Sequence, residues 1–212
     1  MEKLLEFAVC RLRLAAASPV QYPTKAERRK YAPPPTPGIA ALLSRLFGER
    51  KERARLDPLY RAIVAAGRDP SWYREGGVPD TVDGRFDMIS SLLALVLIRL
   101  EREGDRARTD SVLLTESFID DMDSSLRQIG IGDFVVGKHV GRLMGALGGR
   151  LDAFRTALAD GDLKDAVRRN IFRDAPPSSE AVDFVASSLA RFHRGIDALS
   201  LEQMLGGELP AL

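Results

Sequence analysis

The sequence predicts an all-α fold: one compact multi-helix domain of about seven helices behind a proline-rich N-terminal extension. Three observations carry this. Apolar residues recur at intervals of three and four over long stretches, most clearly between Leu113 and Leu158. Helix start and stop signals punctuate the chain at short intervals. No stretch keeps the period-two alternation of a half-buried strand.

Composition sets the frame. The chain has 212 residues, 45% apolar and 29% charged, which is enough for one domain with a real core. A net charge of +1 provides no global field toward nucleic acid, and no specific nucleic-acid target is expected. One cysteine, Cys10, excludes an internal disulfide framework and fits a reducing compartment. With two histidines beside it, a zinc site of the usual ligand types is not expected. The opening run MEKLLEFAVCRLRLAAAS is broken by Glu6, Arg11 and Arg13, unlike the uninterrupted apolar centre of an export signal, so the domain is expected in the cytoplasm.

Residues 1–37 form the extension. Six of the twelve prolines fall between Pro19 and Pro37, and that density blocks helix and sheet. The helical domain is placed at 38–207 and a tail at 208–212. Gly38 to Leu56 reads as an amphipathic basic helix, apolar through Ile39, Leu42, Leu43, Leu46 and Phe47. Arg45, Arg50, Lys51, Arg53 and Arg55 give it positive charge. Such a helix could lie on an anionic membrane surface through Arg45, Phe47, Arg50 and Lys51. The plainer reading, a peripheral helix with a solvated charged end, is favoured by the dilution from Glu49 and Glu52.

Asp57-Pro58 reads as a fresh helix start, and Asp69-Pro70 repeats the signal before the aromatic turn SWYREGG. Pro79 and Asp80-Thr81 introduce the most apolar segment. Its uncharged part, Met88 to Ile98, spans roughly 17 Å as a helix, short of the ~30 Å hydrocarbon core, so it is a buried helix. Next come the paired helices. Leu114, Phe118, Met122, Leu126 and Ile129 line one face of the first, Gly130 suits its end, and Asp133 suits the N-cap of the second. The second stripe runs through Val136, Val140, Leu143, Leu147, Leu151, Phe154 and Leu158. Beyond Gly161, LKDAVRRNIF forms a shorter helix, and Ala175-Pro176-Pro177 breaks it. Ser178 or Ser179 caps the next, and Ser200 with Gln203 makes a capping box for a last turn.

Beside the second stripe runs a line of glycines, Gly137, Gly141, Gly145 and Gly149. Each interior helix glycine costs about 1 kcal/mol relative to alanine, so the line needs a reason. Close helix–helix packing inside the monomer is the commoner one. A docking face for a partner helix is the other.

Gly132-Asp-Phe-Val-Val-Gly137-Lys138 matches the spacing of a phosphate-binding loop. It is followed by His139 instead of a serine or threonine, and it is preceded by a helix instead of a strand, so nucleotide binding is not expected. Glu116, Asp120, Asp121 and Asp123 cluster opposite the apolar stripe, where a solvated charged face with an Asp123–Arg127 pair outweighs a metal site. No Glu-x-x-His pair exists for a di-iron centre. His139 and His193 are far apart and lie near no nucleophile signature. No catalytic residue, metal ligand or cofactor site is assigned, and the chain is not expected to be an enzyme. Trp72, Tyr73 and Phe86 either plug the end of the core or anchor a partner.

Two stretches resemble the ubiquinol–cytochrome c chaperone family, assembly factors of the cytochrome bc1 complex in mitochondria and related bacteria. They are LYRAIVAAGRDPSWYREGGVPDTVDGRFDMISSLLALVLIRL and FIDDMDSSLRQIGIGDFVVGKHVGRLMGALGGRLDAF. Their specific parts are YREGGVPDTVDGRFDM and DMDSSLRQIGIGDFVVGKHVGRL. The resemblance implies an all-α domain that binds newly made cytochrome b before it joins the complex. In mitochondria it also implies a small partner subunit and a place near the ribosome. It brings no catalytic residues. The expected binding region is a groove between the glycine-lined helix and the aromatic turn, bounded by Trp72, Tyr73, Phe86, Gly137, Lys138, Gly141 and Gly145. A different class of function, a membrane-surface or nucleic-acid-associated adaptor acting through the basic helix, is the alternative.

Overall fold

The structure, a computed structural model, describes residues 39–128, 133–173 and 177–211, with side chains of 39–52 and 126–140 outside the description. The chain divides into two units, 1–44 and 45–212. Of the first, only helical backbone at 39–44 is described.

Among the described residues there are eight α-helical segments and no strand. They are α1 (Ile39–Gly67), α2 (Pro70–Arg74), α3 (Val82–Glu101), α4 (Arg108–Gln128), α5 (Asp133–Asp160), α6 (Lys164–Asn170), α7 (Ser179–Asp197) and α8 (Leu201–Leu205). A 3-10 turn, Gly104–Ala107, leads from α3 into α4.

Helix α3 is the axis. Every residue from Asp87 to Leu100 is buried, which its all-round apolar composition requires. It packs against α5, α7 and α4, and α6 closes against α7 and α5. Thr81 caps its start by accepting a hydrogen bond from the Gly84 amide at 3.1 Å. Among the described residues no helix is long and apolar enough to cross a membrane. Three further expected caps are present: Asp69 for α2, Ser178 for α7, and the Ser200–Gln203 box for α8. Gly130 and Ile129 lie outside the described residues.

One boundary differs. Asp57-Pro58 does not start a helix, because α1 runs unbroken through Pro58. A proline inside a helix forfeits one hydrogen bond and crowds the preceding turn. Here the stripe Leu56, Leu59 and Ile63 is fully buried on both sides of it, and that packing outweighs the lost bond. The Pro58 carbonyl also has a neighbour. Gly207, at φ +86°, brings its backbone so close that a Cβ there would lie 2.9 Å from that oxygen. The segment after α8 is held likewise: Leu209 packs on the core, and Pro210 fills the space beside Gly195.

Candidate functional site

The aromatic turn is built to close one end of the helical core. Asp69 accepts hydrogen bonds from the Ser71 amide at 2.9 Å and its hydroxyl at 2.6 Å, which starts α2 and aims the next two rings back at α1. Trp72 Nε1 donates to the Ala66 carbonyl at 2.8 Å, and the Tyr73 hydroxyl donates to the Gly67 carbonyl at 2.7 Å. These are carbonyls of the last turn of α1, which the helix itself leaves without partners. Trp72 is fully buried and so has no surface to offer a partner; its place in the expected groove is corrected to the core. Tyr73 and Phe86 are half-buried.

Glycine allows the turn to be this tight. A Cβ at Gly84 would sit 1.9 Å from the Pro79 carbonyl oxygen, and one at Gly76 would sit 2.5 Å from the Trp72 oxygen. Gly77 takes φ +61°, a conformation that side chains disfavour.

Phe86 stands where α3, α4 and α5 meet. It stacks on Phe118 with ring centroids 5.8 Å apart, and the Arg150 guanidinium carbon lies 5.3 Å from its centroid. The next residue, Asp87, is the hub of a buried charge cluster. Arg150 bonds its carboxylate directly, and Arg173 grips both oxygens, its Nη2 at 2.6 and 2.7 Å and its Nε at 3.2 Å. Arg150 also donates to the Asn170 carbonyl at 3.0 Å and the Ala146 carbonyl at 3.2 Å, so one side chain ties α3, α5 and α6 together. Burial pushes the Asp87 carboxyl up, against the pull of Arg173 and Arg150, and burial pushes the Arg150 guanidinium down. Two buried charges thus offset one another's desolvation. Sequence reasoning missed this cluster. Its signal was a lone aspartate at the head of an uncharged run and an arginine interrupting the α5 stripe.

The glycine line has a different environment from the one expected. Among the described residues, a Cβ added at Gly141, Gly145, Gly148 or Gly149 would meet no atom within 4 Å. Close packing inside the monomer is therefore corrected for these positions: they face open space. Gly148, which the four-residue spacing omitted, belongs to the same face. Leu147, Phe154 and Ala157 are buried on the other side of α5, so the helix is anchored while its glycine side stays bare. Gly137 and Lys138 lie within α5, but Lys138's side chain and the surroundings of Gly137 are outside the described residues. So are the side chains of Arg45, Phe47, Arg50 and Lys51, the candidate membrane surface, and those of Arg127 and His139.

The acidic cluster on α4 stays partly solvated, with the Asp120 side chain 66% exposed, and it also seats α1. Arg53 donates to Glu116 at 2.7 Å and to Asp120 at 2.8 Å, the Tyr60 hydroxyl donates to Asp121 at 2.7 Å, and Arg55 bonds the buried Asp110. The segment that mimics a phosphate-binding loop is helical from Asp133 onward. His193 is buried in α7, with Nδ1 3.5 Å from Asp197.

A family model described as ubiquinol-cytochrome C chaperone matches residues 74–211. The fold is similar to the crystal structure of the Cbp3 homolog from Brucella abortus, with a TM-score of 0.68 and 29% sequence identity. The match covers 80% of this chain and 96% of that one. No curated protein matches the chain significantly.

Proposed function

The chain belongs to the ubiquinol-cytochrome C chaperone family, and from that premise we propose that it holds newly made cytochrome b on the bare face of α5. Its role is that of an assembly chaperone for the cytochrome bc1 complex (ubiquinol–cytochrome c reductase), by binding instead of catalysis. The observation that carries the binding face is the run Gly141, Gly145, Gly148 and Gly149, which faces open space on a helix whose other side is locked into the core. Helix glycines cost stability, and where no described atom approaches them, a visiting backbone is what their missing side chains accommodate. Gly137 and Lys138 extend the same helix. Half-buried Phe86 meets Arg150 on the core side of α5, and half-buried Tyr73 belongs to the aromatic turn.

An apolar client segment, helical in the groove, is the partner this face fits. The protein would then work on the cytoplasmic side, peripheral to the inner face of the membrane that receives the client and within reach of the ribosome that makes it.

The test is an affinity pull-down from the native host, asking whether cytochrome b co-purifies, repeated with Gly141→Leu. The expected result is a folded variant that loses cytochrome b and fails to support bc1 assembly. A variant that retains both, or one that unfolds, overturns the groove.

A further inference from the structure

We propose that a cleft between the ends of α1, α2 and the start of α3 binds a phosphate group through Arg68, Arg74 and Arg85. The cleft measures about 450 Å³ and is lined by these three arginines with Pro70, Tyr73 and Asp80. The lining holds three arginines and one carboxylate, Asp80, while Asp69 acts electrostatically on Arg74 from just outside it. Asp80 is engaged by Arg85 through Nε at 2.7 Å, an exposed pair that leaves Arg85's terminal nitrogens for a ligand. Neither Arg68 nor Arg74 is held in an ion pair with a described residue. The planar forks of Arg match phosphate oxygens two at a time, and a compact tetrahedral anion satisfies several at once.

The cleft is also fixed in shape. Tyr73, one of its lining residues, has its hydroxyl committed to the Gly67 carbonyl. Arginines on such a frame lose less freedom on binding than arginines on a loose loop. The volume leaves room for the group that carries the phosphate. That chemistry has two sources, an anionic lipid headgroup or a free phosphate compound. The site does not depend on the glycine face of α5 and stands or falls apart from the client proposal.

The experiment uses the full chain and the double variant Arg68→Gln/Arg74→Gln; Arg85 is left alone because it pairs with Asp80. Vesicle co-sedimentation compares phosphatidylcholine with phosphatidylcholine containing phosphatidylglycerol, and glycerol phosphate is the soluble probe, read by thermal shift. We expect binding to the anionic vesicles only, weakened about 25-fold in the variant, roughly fivefold for each of two charges, at an unchanged melting temperature. A glycerol phosphate shift in the wild type that is absent from the variant, without vesicle binding, supports the site with a soluble source. The proposal is overturned if neither probe binds, if the variant binds either as well as the wild type, or if only an acidic peptide such as oligoglutamate binds.

Discussion

Arg150 on α5 and Asp87 on α3 form an ion pair with almost no solvent on either side, 3% and 5% of their side chains being exposed. They lie 63 residues apart, and they fix the spacing between the central helix and the helix that carries the glycine face. Removing one partner strands the other as a buried charge, which costs about 3–5 kcal/mol. Asp87→Ala is therefore expected to lose about that much in urea unfolding. Arg173→Gln, whose guanidinium is 44% exposed, is expected to lose about 1 kcal/mol. Equal losses would contradict the burial of the Arg150 pair.

The glycine face makes the opposite prediction for stability. Gly145→Ala and Gly149→Ala each remove about 1 kcal/mol of helix penalty and place a methyl where nothing is met. The double variant is expected to be more stable by roughly 2 kcal/mol, read from the denaturation midpoint at constant slope. Lower stability would mean that another backbone already lies against these positions.

Acid is expected to weaken the fold through His193. Burial holds its imidazole below the usual histidine range, Asp197 opposes this, and Arg102, Arg194 and Arg99 add to it. A base whose folded pKa is depressed contributes stability that is full above its unfolded value, about 6.5. That contribution is lost as pH falls from there toward the folded value. Urea midpoints at pH 7.5, 6.5 and 5.5 should decline, and His193→Gln should flatten that decline.

The helices were legible wherever local chemistry decides structure. Thr81, Ser178 and Ser200 sit at helix starts because their side-chain oxygens take amides that the helix cannot satisfy. The apolar spacing of Val182, Val185, Leu189, Phe192 and Ile196 maps directly onto the buried side of α7. Choices made by distant neighbours were not legible. Asp57-Pro58 is a local stop signal that buried Leu56 and Leu59 overrule. Periodicity places Gly141, Gly145 and Gly149 on one face but says nothing about what covers it. Nothing local shows that partly solvated Glu116 and Asp120 also receive Arg53, more than sixty residues earlier. Local sequence left Trp72 between core plug and partner anchor, and its indole N–H finds its acceptor in Ala66.

That indole gives the protein a built-in optical reporter. Trp72 is the single tryptophan of the chain, fully buried and hydrogen-bonded at the junction of α1 and α2. Its emission therefore reads one place only. The neighbouring Tyr73 and Arg74 line the arginine cleft, so occupancy there would reach the fluorophore through a single residue. Loosening of the α1 cap would move the indole toward water and shift its light to the red, without any label being attached.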